Sequence, residues 1–186
     1  MKKELGAKAA IFPCPVLIIA TYDEDGNADA MNVAWGGQCG PAHIAINIAA
    51  AHKTTDNIKA KKAFTCSIAD RQHMVVADYF GVESGKNADK AAKSGLTFRK
   101  SANVDAPVIE EFPLTMECKV IDIRVENGET RVVGEIVNTI VDDSILTDDK
   151  IDLDKLQPLS FDSASAGYRI VGERIGNAFK DGAVMK

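Results

Sequence analysis

The sequence lacks most of the signatures by which a function is commonly read. It has no CxxC pair, no HExxH, no Walker loop, no nucleophile elbow and no glycine-rich dinucleotide fingerprint after a strand. The usual marks of zinc hydrolases, P-loop nucleotidases, serine hydrolases and Rossmann dehydrogenases are therefore missing. The three histidines, His43, His52 and His73, share no ligand spacing with a pair of acids, which argues against a metal site. No basic block occurs and the net charge is -5, so nucleic acid is not an expected partner. The apolar run from Cys14 to Ala20 is broken by Pro15 and falls far short of the ~20 residues of a membrane span. Lys2 and Lys3 lead into Glu4 and Gly6 instead of an apolar signal core, so the expected location is cytoplasmic.

What remains is ordinary globular material. With 186 residues, 46% hydrophobic and 26% charged, the chain is expected to form one domain over residues 1–186. Cys66 and Cys118 lie in strand-like apolar stretches and are expected as reduced thiols in or near the core. Cys39 sits among Gly36, Gly37 and Gly40 with no adjacent charge to activate it.

Pro15 to Tyr22 reads as a buried strand, and Asp23-Glu24-Asp25-Gly26-Asn27 as a tight reversal returning through a second strand, Ala28 to Ala34. His43 to Ile48 alternates as a half-buried strand. Thr54 or Thr55 is the expected N-cap of a helix that continues from Asn57 to Lys62. Ala63 to Ala69 is another strand. Gln72 to Phe80 has helical spacing and is stopped by Gly81; a short helix through Asp89, Lys90 and Lys93 is closed by Gly95. Leu114 to Val125 and Arg131 to Val141 pair across the Asn127-Gly128 hairpin signal. An acidic connection with room for a short helix, Asp142 to Pro158, precedes a last strand, Ala166 to Glu173, and the tail from Arg174 is unassigned. At least seven strands, mostly joined as hairpins, predict a mainly β fold with inserted short helices, as an antiparallel barrel or sandwich.

Three stretches could carry chemistry. Lys53-Thr54-Thr55 places an ammonium and two hydroxyls at a helix start, where unpaired N–H groups favour a phosphate. Plain N-capping by a threonine beside a solvated lysine is the simpler alternative. Asn32-Val33-Ala34-Trp35 followed by Gly36-Gly37 could hold a flat ring, with glycine letting the backbone approach it. A core tryptophan before a loop is the plainer account. The loop Ser84-Gly85-Lys86, with Lys90 beyond it, could bend over a ligand or simply be a solvated connection. His52 adjoins the helix start.

The order of these fragments, taken together, resembles the flavin reductase-like family with an FMN-binding split barrel, and within it the flavoredoxin-like proteins. The order runs from Ala20-Thr21 through Asp25-Gly26, Met31 to Trp35, Gly40-Pro41 and Lys53 to Ile58. It continues through Phe64-Thr65, Asp78-Tyr79-Phe80-Gly81 and Ser84 to Lys90, then Gly95-Leu96-Thr97, Ala106-Pro107 and Glu117-Cys118. The resemblance implies an antiparallel Greek-key split β-barrel that forms a homodimer and binds FMN near the subunit interface. It implies ring contacts at Asn32, Val33, Ala34 and Trp35, partly through backbone. The phosphate site it implies is Lys53, Thr54, Thr55 and Asn57, with Ser84 and Lys90 as further ligands. Where the family often has arginine or histidine near the phosphate, this chain has His52-Lys53. The function implied is an oxidoreductase passing electrons from NAD(P)H or a redox partner protein through bound FMN. The alternative is a non-catalytic FMN-binding or flavin-storage module.

Overall fold

Strand β2 (Leu17–Tyr22) explains the architecture. Its apolar run is continuous because both its faces are buried. Leu17 and Ile19 point into one core with Val33, Ile44, Ile46, Phe64 and Val132, while Val16, Ile18 and Ala20 point into a second core with Ala77, Phe80, Ile109 and Phe112. A strand with one wet face would alternate instead.

The computed structural model describes residues 1–186. A two-residue strand β1 (Cys14–Pro15) precedes β2; then come β3 (Ala28–Val33), β4 (Gly36–Gly40), β5 (His43–Ala49), α1 (Lys53–Lys61) and β6 (Ala63–Ile68). Next are α2 (Met74–Val82), α3 (Lys90–Ser94), β7 (Phe98–Lys100), β8 (Pro107–Ile109), β9 (Leu114–Glu126) and β10 (Glu129–Val141). The chain ends through β11 (Leu146–Thr147), β12 (Lys150–Ile151), α4 (Leu153–Leu156), β13 (Leu159–Asp162) and β14 (Gly167–Ile170). The main sheet has seven antiparallel strands in the order β3-β2-β6-β9-β10-β5-β4, and β3 and β4 remain its free edges. The fold is therefore a Greek-key barrel left split between those edges. A second sheet, β1-β13-β14, and α2 cover the outer face of β2 and β3.

Two hairpins follow from turn chemistry. Asn127 and Gly128 both have positive φ, 52° and 83°, as a two-residue turn between twisted strands requires. Asp23 caps its own turn, Oδ1 accepting from the Asn27 N–H at 2.8 Å. At the β9–β10 bulge, Gly134 leaves room for Phe64: an added Cβ would lie 2.7 Å from the ring.

Several boundaries differ from the sequence expectation. Gly36 to Gly40, given no strand in the sequence reading, is a strand because it pairs with β5 along Gly36–Ile46 and Gly37–Ala45. Helix α2 begins two residues later than expected and runs through Gly81 to Val82. The last strand is half of a hairpin whose other half, β13, was missed, as were β7 and β8. Cys66 and Cys118 are buried, and burial pushes the Cys118 thiol up to about 12, so both are inert packing groups.

Candidate functional site

The first turn of α1 is the point from which the site is built. Its N-cap is His52, in extended conformation and without a side-chain cap bond, which corrects the expectation of a threonine cap. The two threonines sit inside the first turn, with their hydroxyls turned into the fold. Thr54 Oγ1 donates to Asp29 Oδ2 at 3.0 Å and Thr55 Oγ1 to the Ala49 carbonyl at 2.7 Å. Asn57 is also buried, and its Nδ2 donates to Thr21 Oγ1 at 2.9 Å. These bonds pin the helix onto β2, β3 and the end of β5. They leave the first N–H groups of the helix, at Lys53 and Thr54, without an acceptor in the helix itself. Lys53 keeps its ammonium at the mouth, 3.3 Å from Asp23 Oδ2. Burial raises the Asp23 carboxyl's pKa, but bonds from Asn27 and Lys53 outweigh that and hold it below its ordinary value.

The loop after α2 faces this helix start. Lys86 Nζ donates to the Ala51 carbonyl at 2.7 Å and lies 3.1 Å from Asp56 Oδ2, which clips the loop to α1. Lys90 forms the floor. Its Nζ is 3.6 Å from Asp29 Oδ1 and 3.4 Å from the Phe80 carbonyl, and both charged side chains are buried. Burial pulls the Lys90 pKa below its usual value, against the opposing pull of Asp29. Asp29, Met31, Lys53, Thr54, Gly81, Ser84 and Lys90 line a cleft of about 240 Å³. It continues past Gly85 into a second hollow of about 430 Å³ bounded by Asn27 and Lys86 to Lys90.

The structure thus brings Lys53, Thr54, Ser84 and Lys90 around one cleft. Thr55, Asn57 and Val33 stand behind it, buried in the fold. Asn32 does not line it but packs against Gly81, which does. Ala34 and Trp35 line a different, more apolar hollow of about 490 Å³ with Ile11, Pro13, Cys39 and Arg131. Trp35 is 63% exposed, so the core-tryptophan account does not hold. Its carbonyl is taken by the Asn47 N–H at 2.8 Å. Gly36 is no ligand cradle either, since an added Cβ there would meet Ile46, Ala45 and Leu17 within 3.0 Å. Sequence reasoning missed Asp29. The signal for Asp29 was available: a carboxylate at a core-facing position of a short apolar strand. No cluster of three or more His, Cys, Asp or Glu side chains is placed to hold a metal ion, and no helix is long and apolar enough to cross a membrane.

The family model for the flavin reductase like domain matches residues 9–161. The chain belongs to the flavin reductase like domain family. A flavoredoxin of Desulfovibrio vulgaris (Miyazaki F) superposes with a TM-score of 0.92 at 40% identity, over 98% of this chain and 100% of that one. A flavoredoxin from Methanosarcina acetivorans does so with a TM-score of 0.92 at 25% identity, over 100% of both chains. An FMN-binding protein from Thermus thermophilus shares the fold alone, with a TM-score of 0.77 at 14% identity over 95% of this chain and 97% of that one.

Proposed function

We propose that the protein binds FMN and passes electrons through it, from NAD(P)H as a flavin reductase or from a redox protein as a flavoredoxin. The observation that carries this is the meeting of Lys53, the free first-turn N–H groups, Ser84 and Lys90 in one cleft of a flavin reductase like domain. Those donors fit a phosphate dianion, for which helix-start N–H groups and ammonium groups form charge-assisted bonds. Gly85 lets the loop close on the cleft: an added Cβ would overlap the Asp29 carboxylate, so the loop backbone lies directly on the cleft floor. When bound, the flavin supplies the electron or hydride chemistry. Lys53 and Ser84 would hold its phosphate, and Asn32, Ala34 and Trp35 would border its ring. The 40% identity to a flavoredoxin favours the electron-relay version. Four unpaired cysteines suit a reducing compartment, the cytoplasm.

The reading includes a second copy of the chain. Ile175, Phe179, Val184 and Met185 are almost fully exposed on a terminal arm that hydrogen-bonds only within itself from Gly172 onward. Sedimentation of the full chain checks this, and a single-chain mass removes it.

The donor is tested by mixing FMN-loaded protein with NADH and with NADPH without oxygen. Bleaching of the flavin by either identifies the reductase version. Bleaching only by a reduced redox protein identifies the relay. A flavin that none of these reduces contradicts both versions and leaves a binding module.

A further inference from the structure

Three residues from distant parts of the chain meet beside the cleft: Asn32 near the end of β3, Asp78 in α2 and Tyr168 in β14. Tyr168 Oη donates to Asp78 Oδ1 at 2.8 Å. Asn32 Nδ2 donates to the Ala77 carbonyl at 3.0 Å and to Tyr168 Oη at 3.4 Å.

The two ends of this chain of bonds fix its polarity. A backbone carbonyl and an ionised carboxylate can only accept. Ala77 O therefore demands the NH2 side of the Asn32 amide. Asp78 accepts the phenol's hydrogen bond, so the phenol oxygen is left to accept from that same NH2. Burial and then Asp78 push the Tyr168 phenol up to about 12, and it stays a donor through neutral pH. An asparagine in a neutral setting could turn either end outward; this one cannot. Its nitrogen is used, and its Oδ1 is given no partner by the protein. Gly81, part of the cleft wall, packs on this side chain: an added Cβ would lie 3.3 Å from Asn32 Cβ.

We propose that Tyr168 and Asp78 are positioning residues that lock Asn32 as a hydrogen-bond acceptor for the imide N–H of the flavin ring. This rests on the FMN reading above. Oxidised isoalloxazine carries a single ring N–H, that of its imide, so a fixed acceptor at the ring edge has one ring donor to read. A residue free to turn would meet the flanking ring carbonyls equally well. A site built to accept from an N–H rejects a ring lacking it, because the acceptor is then left unpaired. The β13–β14 hairpin would thus act on the ring edge through a residue 136 positions away in sequence.

The test titrates wild type, Asn32→Ala, Tyr168→Phe and the double variant with FMN and with 3-methyl-FMN, which has no imide N–H. Wild type is expected to prefer FMN about tenfold, Tyr168→Phe to lose about fivefold of that preference, and Asn32→Ala to lose nearly all of it. Adding Tyr168→Phe to Asn32→Ala is expected to change the preference less than about twofold, because the phenol acts only through the amide. Asp78→Asn, which keeps the volume of the side chain, is expected to move the preference in the same direction and serves if Tyr168→Phe does not fold. Melting temperatures are read alongside. A merely structural Tyr168 would lower stability and weaken both ligands equally, with or without Asn32. That result, or an unchanged preference in Asn32→Ala while FMN still binds, overturns the proposal. A wild-type protein that takes up no FMN overturns the reading beneath it, and the proposal with it.

Discussion

Lys90→Met is expected to lower the unfolding free energy by about 3 kcal/mol, because it leaves the Asp29 carboxylate buried and uncompensated. Lys90 and Asp29 side chains are each only 3% exposed and lie 3.6 Å apart. The distance is long for a hydrogen bond, so the attraction is chiefly charge on charge. Thr54 donates to the other carboxylate oxygen, so the loss would spread to the first turn of α1. The pair itself contributes little net stability, since desolvating both charges offsets most of their attraction. The control follows: Asp29→Asn in the Lys90→Met background removes the orphan charge, keeps an acceptor for Thr54, and should recover most of the loss. Denaturant unfolding of the three variants measures this. A Lys90→Met protein within about 0.5 kcal/mol of wild type would show that the floor of the cleft is wetter than its geometry implies.

Glu117→Gln is expected to cost a similar amount, about 3 kcal/mol, for a different reason. Glu117 is 1% exposed near the start of β9. Its carboxylate accepts from Ser101 Oγ and, at 2.6 Å each, from the amide nitrogens of Asn103 and Asn138. Ser101 Oγ in turn accepts from the N–H groups of Asn103 and Val104. One carboxylate thus ties the β7–β8 connection to β9 and β10. Glutamine would present an NH2 to groups that are themselves donors. Burial alone would raise the Glu117 pKa, but bonds from Ser101, Asn138 and Asn103 outweigh it and the net shift is downward. The folded state therefore prefers the ionised form. Its contribution is fully present above the unfolded carboxyl pKa of about 4.3 and is lost as pH falls through the lower folded value. The stability gap between wild type and Glu117→Gln should be widest near neutral pH and close in acid. A gap independent of pH would contradict this.

The parts of the fold legible in the sequence were those with local chemistry. Asp25-Gly26 and Asn127-Gly128 announced their hairpins because positive φ is cheap only for a few residues. Asp89 and Gly95 bracketed α3 for the same kind of reason, Asp89 capping the Ala92 N–H at 2.9 Å and Gly95 taking φ +70°. Strand β4 was illegible because Gly-Gly-Gln-Cys-Gly has no strand propensity; only its pairing with β5 makes it a strand. The helix start was located correctly while its caps were not. Thr54 and Thr55 look like capping residues in sequence, but the fold behind them offers Asp29 and Ala49 as partners, and tertiary contact wins. The Asn32–Tyr168–Asp78 chain joins residues far apart in sequence and carries no local signal at all.

Comparing how FMN and riboflavin bind tests the central claim most directly, because the two differ only in the phosphate assigned to the Lys53 helix start. The full chain is titrated with each, and Lys53→Ala is titrated in parallel. Uptake of one FMN per chain is expected, with a preference over riboflavin of about tenfold or more, the scale of one charge-assisted bond. Lys53→Ala should shrink that preference while leaving riboflavin binding nearly unchanged. A protein that binds neither flavin, or binds both equally, would contradict the account.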